Sequence, residues 1–200
     1  MKKLWLALWV CAALLPRAAA LSAAAAVTMD ADTGETLFAE NADSRLPMAS
    51  TTKIMTALVA LGEGDLDRVY TVKKQYAAVE GSSMYLEEGE RLTLRDTLYG
   101  LLLSSGNDAA AAVAGECGGE RAFVDKMNAK ARELGLTDTR FENPSGLPSD
   151  GHYTTARELA KITAAALRDP VFRDIVSTKT CTAAGRTLVN HNRLLSLYED

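Results

Sequence analysis

The chain of 200 residues is poor in the residue types that mark several specialised protein classes. It has two histidines and three cysteines, and none of the spacings that hold a metal ion, so we predict no metal site and no cofactor. Only five prolines and fourteen glycines are present, without repeats, which argues against long disorder. The 48% of hydrophobic residues suffices for one domain with a proper core.

An excess of basic side chains is also absent. The chain carries 22 lysines and arginines against 26 aspartates and glutamates, a formal net charge of −4. Nucleic acids and anionic membrane surfaces bind proteins with basic patches or a basic balance. We therefore expect no nucleic-acid partner and no adhesion to anionic lipid.

Long apolar runs are missing except at the start of the chain. Residues 4–15 are apolar, follow Lys2 and Lys3, and precede Pro16 and three alanines at 18–20. This order predicts a secretory signal peptide over residues 1–20. A membrane-spanning helix needs about 20 residues, so an uncleaved anchor is the alternative. Cleavage would leave 19 basic and 26 acidic side chains, a net charge of about −7.

The rest of the chain, 21–200, reads as a single domain in which a few strands precede many helices. Residues 23–41 predict a hairpin with its turn at 32–34, and the segment around Gly185 reads as extended. Thr93, with Asp96 three residues on, predicts a helix N-cap, and Pro170 is expected to end a helix. Apolar spacing predicts helices over residues 50–61, 94–102, 108–116, 120–135 and 156–169.

Cys117 and Cys181 could form a disulfide in an exported protein, but their spacing leaves this open.

Ser50 and Lys53 are the first candidate site residues. At positions i and i+3 of a helix their side chains share one face. A serine hydroxyl is a weak nucleophile that needs a base, and a partly buried lysine with a lowered pKa can serve as one. The alternative is that Ser50 or Thr51 caps the helix and Lys53 is solvated, which a lone S-x-x-K pattern would favour.

A second polar segment, Ser105-Gly106-Asn107, interrupts two apolar helices. It offers a hydroxyl and a carboxamide from a different part of the chain. The alternative is an Asx-type turn that caps the helix starting at Asp108. In this order after S-x-x-K, a serine followed two residues later by asparagine is typical of penicillin-binding proteins and class A β-lactamases.

Four stretches closely resemble the serine-type D-alanyl-D-alanine carboxypeptidases, the low-molecular-mass penicillin-binding proteins of peptidase family S11. They are RLPMASTTKIMTAL, EGSSMYLEEGERLTLRDTLYGLLLSSGNDAAAAVA, FVDKMNAKARELGLTDTRFENPSGL and HYTTARELAKI, and the likeness covers nearly all of 23–195. The resemblance implies an α+β fold of the penicillin-binding protein and β-lactamase-like transpeptidase type. It implies Ser50 as the acylated nucleophile, Lys53 as its general base, Ser105 as a proton relay and Asn107 as a contact for the substrate amide.

The resemblance also implies a reaction and its partners. Ser50 would attack the penultimate D-alanine of a peptidoglycan stem pentapeptide, release the terminal D-alanine, and be freed by water. Penicillin and other β-lactams would act as inhibitors by forming a slow ester on Ser50. Such an enzyme works outside the cytoplasmic membrane, on the cell-wall or periplasmic side.

The third motif of this family, Lys-Thr-Gly, is not found. Lys179-Thr180 is followed by Cys181 and precedes NHNRLL, whereas the family motif follows such a segment, so we interpret it as a decoy. We therefore expect a truncated chain whose closing sheet strands, C-terminal domain and membrane-anchoring helix are missing, leaving an open, aggregation-prone sheet edge. Membrane association would then require that missing anchor or an uncleaved signal.

Two alternatives follow. A class A β-lactamase would need a glutamate in an E-x-x-L-N loop, and Glu142 in RFENPSGL lacks that spacing. A fragment or pseudo-enzyme without turnover is favoured by the missing third motif, while Ser50, Lys53, Ser105 and Asn107 count against it.

Overall fold

The computed structural model describes residues 22–197, so the predicted signal peptide lies outside the described part of the chain. Three two-stranded antiparallel sheets lie among the helices, and together with them they give the expected α+β fold. The strands are β1 (Ala26–Met29), β2 (Thr36–Glu40), β3 (Val69–Thr71), β4 (Arg91–Thr93), β5 (Thr180–Ala183) and β6 (Arg186–Val189), paired in that order.

The predicted N-terminal hairpin is confirmed. β1 pairs with β2 in the register Val27 to Ala39. The Asp30 carboxylate closes the turn by accepting hydrogen bonds from the backbone N–H of Asp32 and Thr33, the Asx pattern that favours aspartate in turns. β4 was not predicted, because its three residues run straight into the cap of the next helix.

Helices contain more of the described residues than strands do, as the apolar spacing predicts. Among residues 22–197 they are α1 (Thr52–Leu61), α2 (Lys74–Ala77), α3 (Leu94–Leu103), α4 (Asn107–Glu116), α5 (Glu120–Glu133), α6 (Ala156–Ala166), α7 (Pro170–Ser177) and α8 (Leu194–Leu197). α4 begins one residue earlier than predicted.

Helix caps explain several of these boundaries. Thr93 forms the predicted capping box with Asp96 at the start of α3, and Thr155 accepts from the Glu158 N–H at the start of α6. The helix predicted over 156–169 ends before Pro170 as expected, but already at Ala166, and Pro170 is the first residue of α7, which Asp169 caps. Proline suits this first position because its missing N–H would have no partner in the helix anyway.

The core surrounds α1, which packs against α3, α4, α5, α6 and α7. This explains why α1 is apolar on nearly every side. The largest fully buried side chains of this core include Met55 of α1 and, around it, Leu98, Leu101, Phe123 and Met127, each stabilising the fold by about 1.5–3 kcal/mol. The polar segment 104–107 lies between the buried ends of α3 and α4, which hold it in place.

In the part of the chain that the structure describes, no helix combines the length and apolar character that crossing a membrane requires.

Candidate active site

Ser50 lies in a single 3-10 turn, Ala49–Thr51, that leads directly into α1. The preceding Ala49 has a left-handed φ of 45°, which costs an L-residue about 1–2 kcal/mol. Neither the turn nor α1 has a side-chain cap hydrogen bond. The alternative in which Ser50 or Thr51 caps the helix is therefore wrong, and the exposed Ser50 hydroxyl is accessible to a ligand.

Lys53 is buried, with only 2% of its surface exposed. Its Nζ donates hydrogen bonds of 2.8 Å to Asn107 Oδ1 and to the Ser145 carbonyl oxygen, and lies 3.4 Å from Ser50 Oγ. The alternative of a solvated lysine is wrong. The helical spacing of three residues thus places the amine beside the hydroxyl, as predicted.

Burial lowers the pKa of Lys53 from 10.5 to about 8, although the charge of nearby Asp108 opposes the shift. Its two close partners are neutral oxygens, which stabilise the cation less than a carboxylate would. With this pKa a usable fraction of the amine is neutral near pH 7 to 8. Such an amine can accept a proton from an adjacent hydroxyl.

Asn107 is the first residue of α4 and is itself buried. Its side-chain Nδ2 donates to the Glu80 carbonyl at 2.8 Å, and its backbone N–H donates to the Ser82 carbonyl at 2.7 Å. These contacts orient the amide so that Oδ1 faces Lys53. The alternative Asx turn does not account for this arrangement, because the Asn107 side chain bonds residues distant in sequence.

Asp108 orders the segment that passes over the start of α4. Its buried carboxylate accepts hydrogen bonds from the backbone N–H of Met84 and Leu86, each at 3.0 Å, and from the Ser83 hydroxyl at 2.6 Å. The sequence indicates Asp108 only as the start of a helix, because nothing in the local pattern shows that residues 83–86 lie above it.

Ser105 is half-buried and has a left-handed φ of 55°. It lines the same cleft as Ser50 and Lys53, a cavity of about 410 Å³, within the size range of small-ligand sites. The structure thus brings all four predicted site residues to one region. Apolar side chains and two asparagines complete the cleft, among them Ile54, Leu101, Leu102, Leu167, Phe172, Val176, Asn190 and Asn192.

The loop 143–147 supplies a contact that the sequence did not identify. Asn143 Oδ1 accepts a hydrogen bond of 2.7 Å from the Gly146 N–H, which curls the loop. The Pro144 carbonyl then accepts from the Thr56 hydroxyl at 2.7 Å, and the Ser145 carbonyl accepts from Lys53. The segment NPSG is a recognisable turn signal, but its docking against α1 is a tertiary effect.

His152 fixes the same loop region to the start of α1. Its Nδ1 accepts from the Glu142 N–H at 3.0 Å, so the neutral ring carries its proton on Nε2, 2.7 Å from the Thr52 hydroxyl. Burial lowers the pKa of His152 and keeps the ring neutral. Sequence analysis assigned His152 no role.

Glu142 does not reach this site through its hydrogen bonds. Its carboxylate accepts from the Ser149 hydroxyl and the Gly151 N–H and pairs with Arg140. The bond from Ser149 is the main reason why the pKa of Glu142 is lowered. A glutamate held in this way does not fit the water-activating residue of a class A β-lactamase.

Lys179, the suspected decoy, is exposed just before β5. Lys179 is not among the described residues that line the cleft.

Cys117 and Cys181 both carry free thiols. Within 22–197 no group of three histidine, cysteine or acidic side chains is placed to hold a metal ion.

Comparisons with known proteins show the family to which the chain belongs. The sequence profile described as D-alanyl-D-alanine carboxypeptidase, peptidase S11, matches residues 12–199. The chain is 40% identical over 188 residues to D-alanyl-D-alanine carboxypeptidase DacF of Bacillus subtilis, covering 88% of this chain and 48% of DacF. It is 36% identical to a D-alanyl-D-alanine carboxypeptidase of Streptomyces sp. strain K15, covering 90% of this chain and 66% of that protein.

Solved structures give the same result. A variant of the Streptomyces K15 DD-transpeptidase matches with a TM-score of 0.84 and 38% identity, covering 88% of this chain and 76% of that one. A D-alanyl-D-alanine carboxypeptidase from Mycobacterium tuberculosis H37Rv matches with a TM-score of 0.83 and 36% identity, covering 87% and 68%. The chain thus spans about half the length of DacF. With its fold confirmed, the chain belongs to the D-alanyl-D-alanine carboxypeptidase family, peptidase S11.

Proposed function

We propose that the protein is a serine-type D-alanyl-D-alanine carboxypeptidase that removes the terminal D-alanine from peptidoglycan stem pentapeptides. One observation carries the proposal. A buried lysine with a pKa of about 8 lies 3.4 Å from the hydroxyl of an exposed serine at the start of a helix. Membership of the family agrees with it.

In the acylation step, neutral Lys53 accepts the hydroxyl proton of Ser50 as Ser50 Oγ attacks the carbonyl carbon of the penultimate D-alanine. The positive end of the α1 dipole favours the negative charge that develops beside Ser50. Collapse of the tetrahedral species breaks the C–N bond. Ser105 relays the proton from Lys53 to the leaving amine, and Asn107 contacts the substrate amide.

In the second step, water attacks the ester on Ser50 and Lys53 takes its proton. The acid product leaves and Ser50 recovers its hydroxyl proton. A β-lactam forms the same ester, but its leaving group stays tethered, so deacylation is slow. This is the basis of inhibition by penicillin.

We further propose that residues 1–20 are a signal peptide and that 21–200 form the catalytic domain, or part of it. The substrate is peptidoglycan, so the site of action is extracytoplasmic. Any membrane association would come from an uncleaved signal or from an anchor outside residues 21–200.

A binding protein without turnover is the second candidate. One observation favours it: of the described residues that line the cleft, only Lys53 is basic. The terminal carboxylate of a stem peptide would thus find no dedicated cation there. Penicillin could still acylate Ser50 in such a protein, while the peptide would be cleaved poorly.

The test is the intact mass of the purified chain after brief incubation with benzylpenicillin. We expect a mass increase of one penicillin, lost in Ser50→Ala and kept in Ser44→Ala, an exposed serine in the turn after β2. D-Alanine release from a peptide ending in D-Ala-D-Ala then separates the candidates. A folded sample that forms no adduct would contradict the assignment of Ser50.

A further inference from the structure

Arg186 joins two parts of the molecule that are far apart in sequence. It begins β6, and its guanidinium forms a bidentate ion pair with Glu90, with 2.8 Å between Nη2 and Oε2. The same guanidinium donates to the Tyr85 carbonyl. The side chains of Arg186 and Glu90 are only 21% and 20% exposed, so solvent screens this pair less than a surface pair.

The contact to Tyr85 falls on a strained residue. Tyr85 has a left-handed φ of 64°, and the residue is 78% exposed, so side-chain packing does not hold it. Asp108 holds the residues on either side by accepting from the N–H of Met84 and Leu86. Such strain persists only where surrounding contacts over-determine it. Here the buried Asp108 carboxylate and the Arg186 guanidinium provide these contacts.

The same segment, residues 80–90, which we call the 80–90 loop, positions Asn107. The Glu80 carbonyl accepts from Asn107 Nδ2 at 2.8 Å, and Asn107 Oδ1 accepts from Lys53. If the loop moved, the amide would lose the contact that sets its orientation. A flipped amide would direct its NH₂ group at the Lys53 ammonium, where it cannot accept a hydrogen bond.

We propose that Arg186 is a positioning residue for the reaction, a role that rests on the proposed function. By fixing the 80–90 loop through Glu90 and Tyr85, it keeps the Asn107 amide oriented towards Lys53. Arg186 touches neither Ser50 nor Lys53, so its effect passes through the loop. Its loss therefore slows the acylation step more than it weakens ligand binding.

The test compares Arg186→Ala, Arg186→Lys and Glu90→Gln. Arg157→Ala is the matched control, because Arg157 also makes a bidentate ion pair, with Asp43, but lies on α6 without contact to the loop. The measurements are the saturating acylation rate constant and the dissociation constant for benzylpenicillin, from time courses of adduct mass. We expect Arg186→Ala to lower the rate constant about tenfold or more and to change the dissociation constant less than about threefold.

Arg186→Lys should recover part of the lost rate, because it keeps one charged bond to Glu90. Glu90→Gln should also lower the acylation rate constant, with a smaller effect on stability than Arg186→Ala. Melting curves identify variants that fail to fold. A rate constant for Arg186→Ala and Glu90→Gln within about threefold of the unaltered chain would overturn the proposal. A loss confined to the dissociation constant would overturn it too.

Hydrogen exchange tests the positioning without any activity. In Arg186→Ala the backbone amides of Met84, Leu86 and Asn107 should lose protection, while those of α6 should not. Unchanged exchange would disprove the role of Arg186. If exchange changes but the unaltered chain forms no adduct on Ser50, the proposed function fails and the structural link stands.

Discussion

Lys53 donates a 2.8 Å hydrogen bond to the side-chain oxygen of Asn107, a residue 54 positions further along the chain. This bond connects the two sequence motifs, since Lys53 belongs to the first and Asn107 to the second. Asn107 adds no charge beside the amine, and burial lowers the pKa of Lys53 to about 8.

Acylation should rise with pH. Protonated Lys53 cannot accept the Ser50 proton, and with a pKa of about 8 its neutral fraction grows from about 1% at pH 6 to about 90% at pH 9. We expect the saturating rate of benzylpenicillin acylation to increase about tenfold per pH unit up to pH 7 and to level off above pH 9. A profile that is flat from pH 6 to pH 9 would exclude Lys53 as the base.

Asn107→Asp should shift the pH profile of acylation to higher pH. A carboxylate at 107 would lie beside the Lys53 ammonium, and an opposite charge at that distance raises the pKa of a lysine by about 1–3 units. Acylation at pH 7 should fall about tenfold or more and recover in part at higher pH. Asn107→Ala removes the same hydrogen bond without adding charge, so it should lower the acylation rate without shifting the pH profile to higher pH. Identical profiles for the two variants would contradict the electrostatic argument.

Asp108→Asn should destabilise the fold although it preserves side-chain shape. Both carboxylate oxygens accept from backbone N–H groups, at Met84 and Leu86. An amide NH₂ would face one of these donors, and an unsatisfied buried group costs about 1–3 kcal/mol. Urea unfolding should show this loss, whereas Asp125→Asn, on the exposed face of α5, should stay within about 0.5 kcal/mol. Equal stabilities for both variants would refute the assigned role of Asp108.

Gly146→Ala should disturb the turn that carries Ser50. Gly146 has a φ of 89°, and a Cβ there would lie 1.8 Å from the Ala49 carbonyl oxygen. Because the obstacle is backbone, the turn or the loop 143–147 must move. We expect a loss of more than about 2 kcal/mol in unfolding free energy, together with slower acylation.

Gly34→Ala is the control for this backbone conformation. Gly34 has a similar φ of 76° but no atom within 4 Å of the added Cβ. Gly34→Ala should lose only about 1–2 kcal/mol in unfolding free energy, without any effect on acylation. If both glycine variants behaved alike in denaturation and acylation, the close approach of Gly146 to Ala49 would not matter.

The sequence by itself determined the local features of this protein. Helices with strong apolar spacing, the Thr93 N-cap and the hairpin turn after β1 depend on neighbours within a few residues, so the sequence predicted them. The pairing of Ser50 with Lys53 is also local, because three residues of helix place both side chains on one face. The two motifs in order were specific enough to indicate the family.

Only the tertiary structure decided what makes these residues a site. Lys53 is buried because α1 packs among five other helices, and this burial lowers its pKa. The Ser145 carbonyl, the Asp108 contacts and the Arg186–Glu90 pair join segments separated by 22 to 96 residues. No local pattern encodes such contacts, since they depend on which surfaces the folded chain brings together. The sequence therefore determined which groups can react, and the packing decided their protonation and orientation.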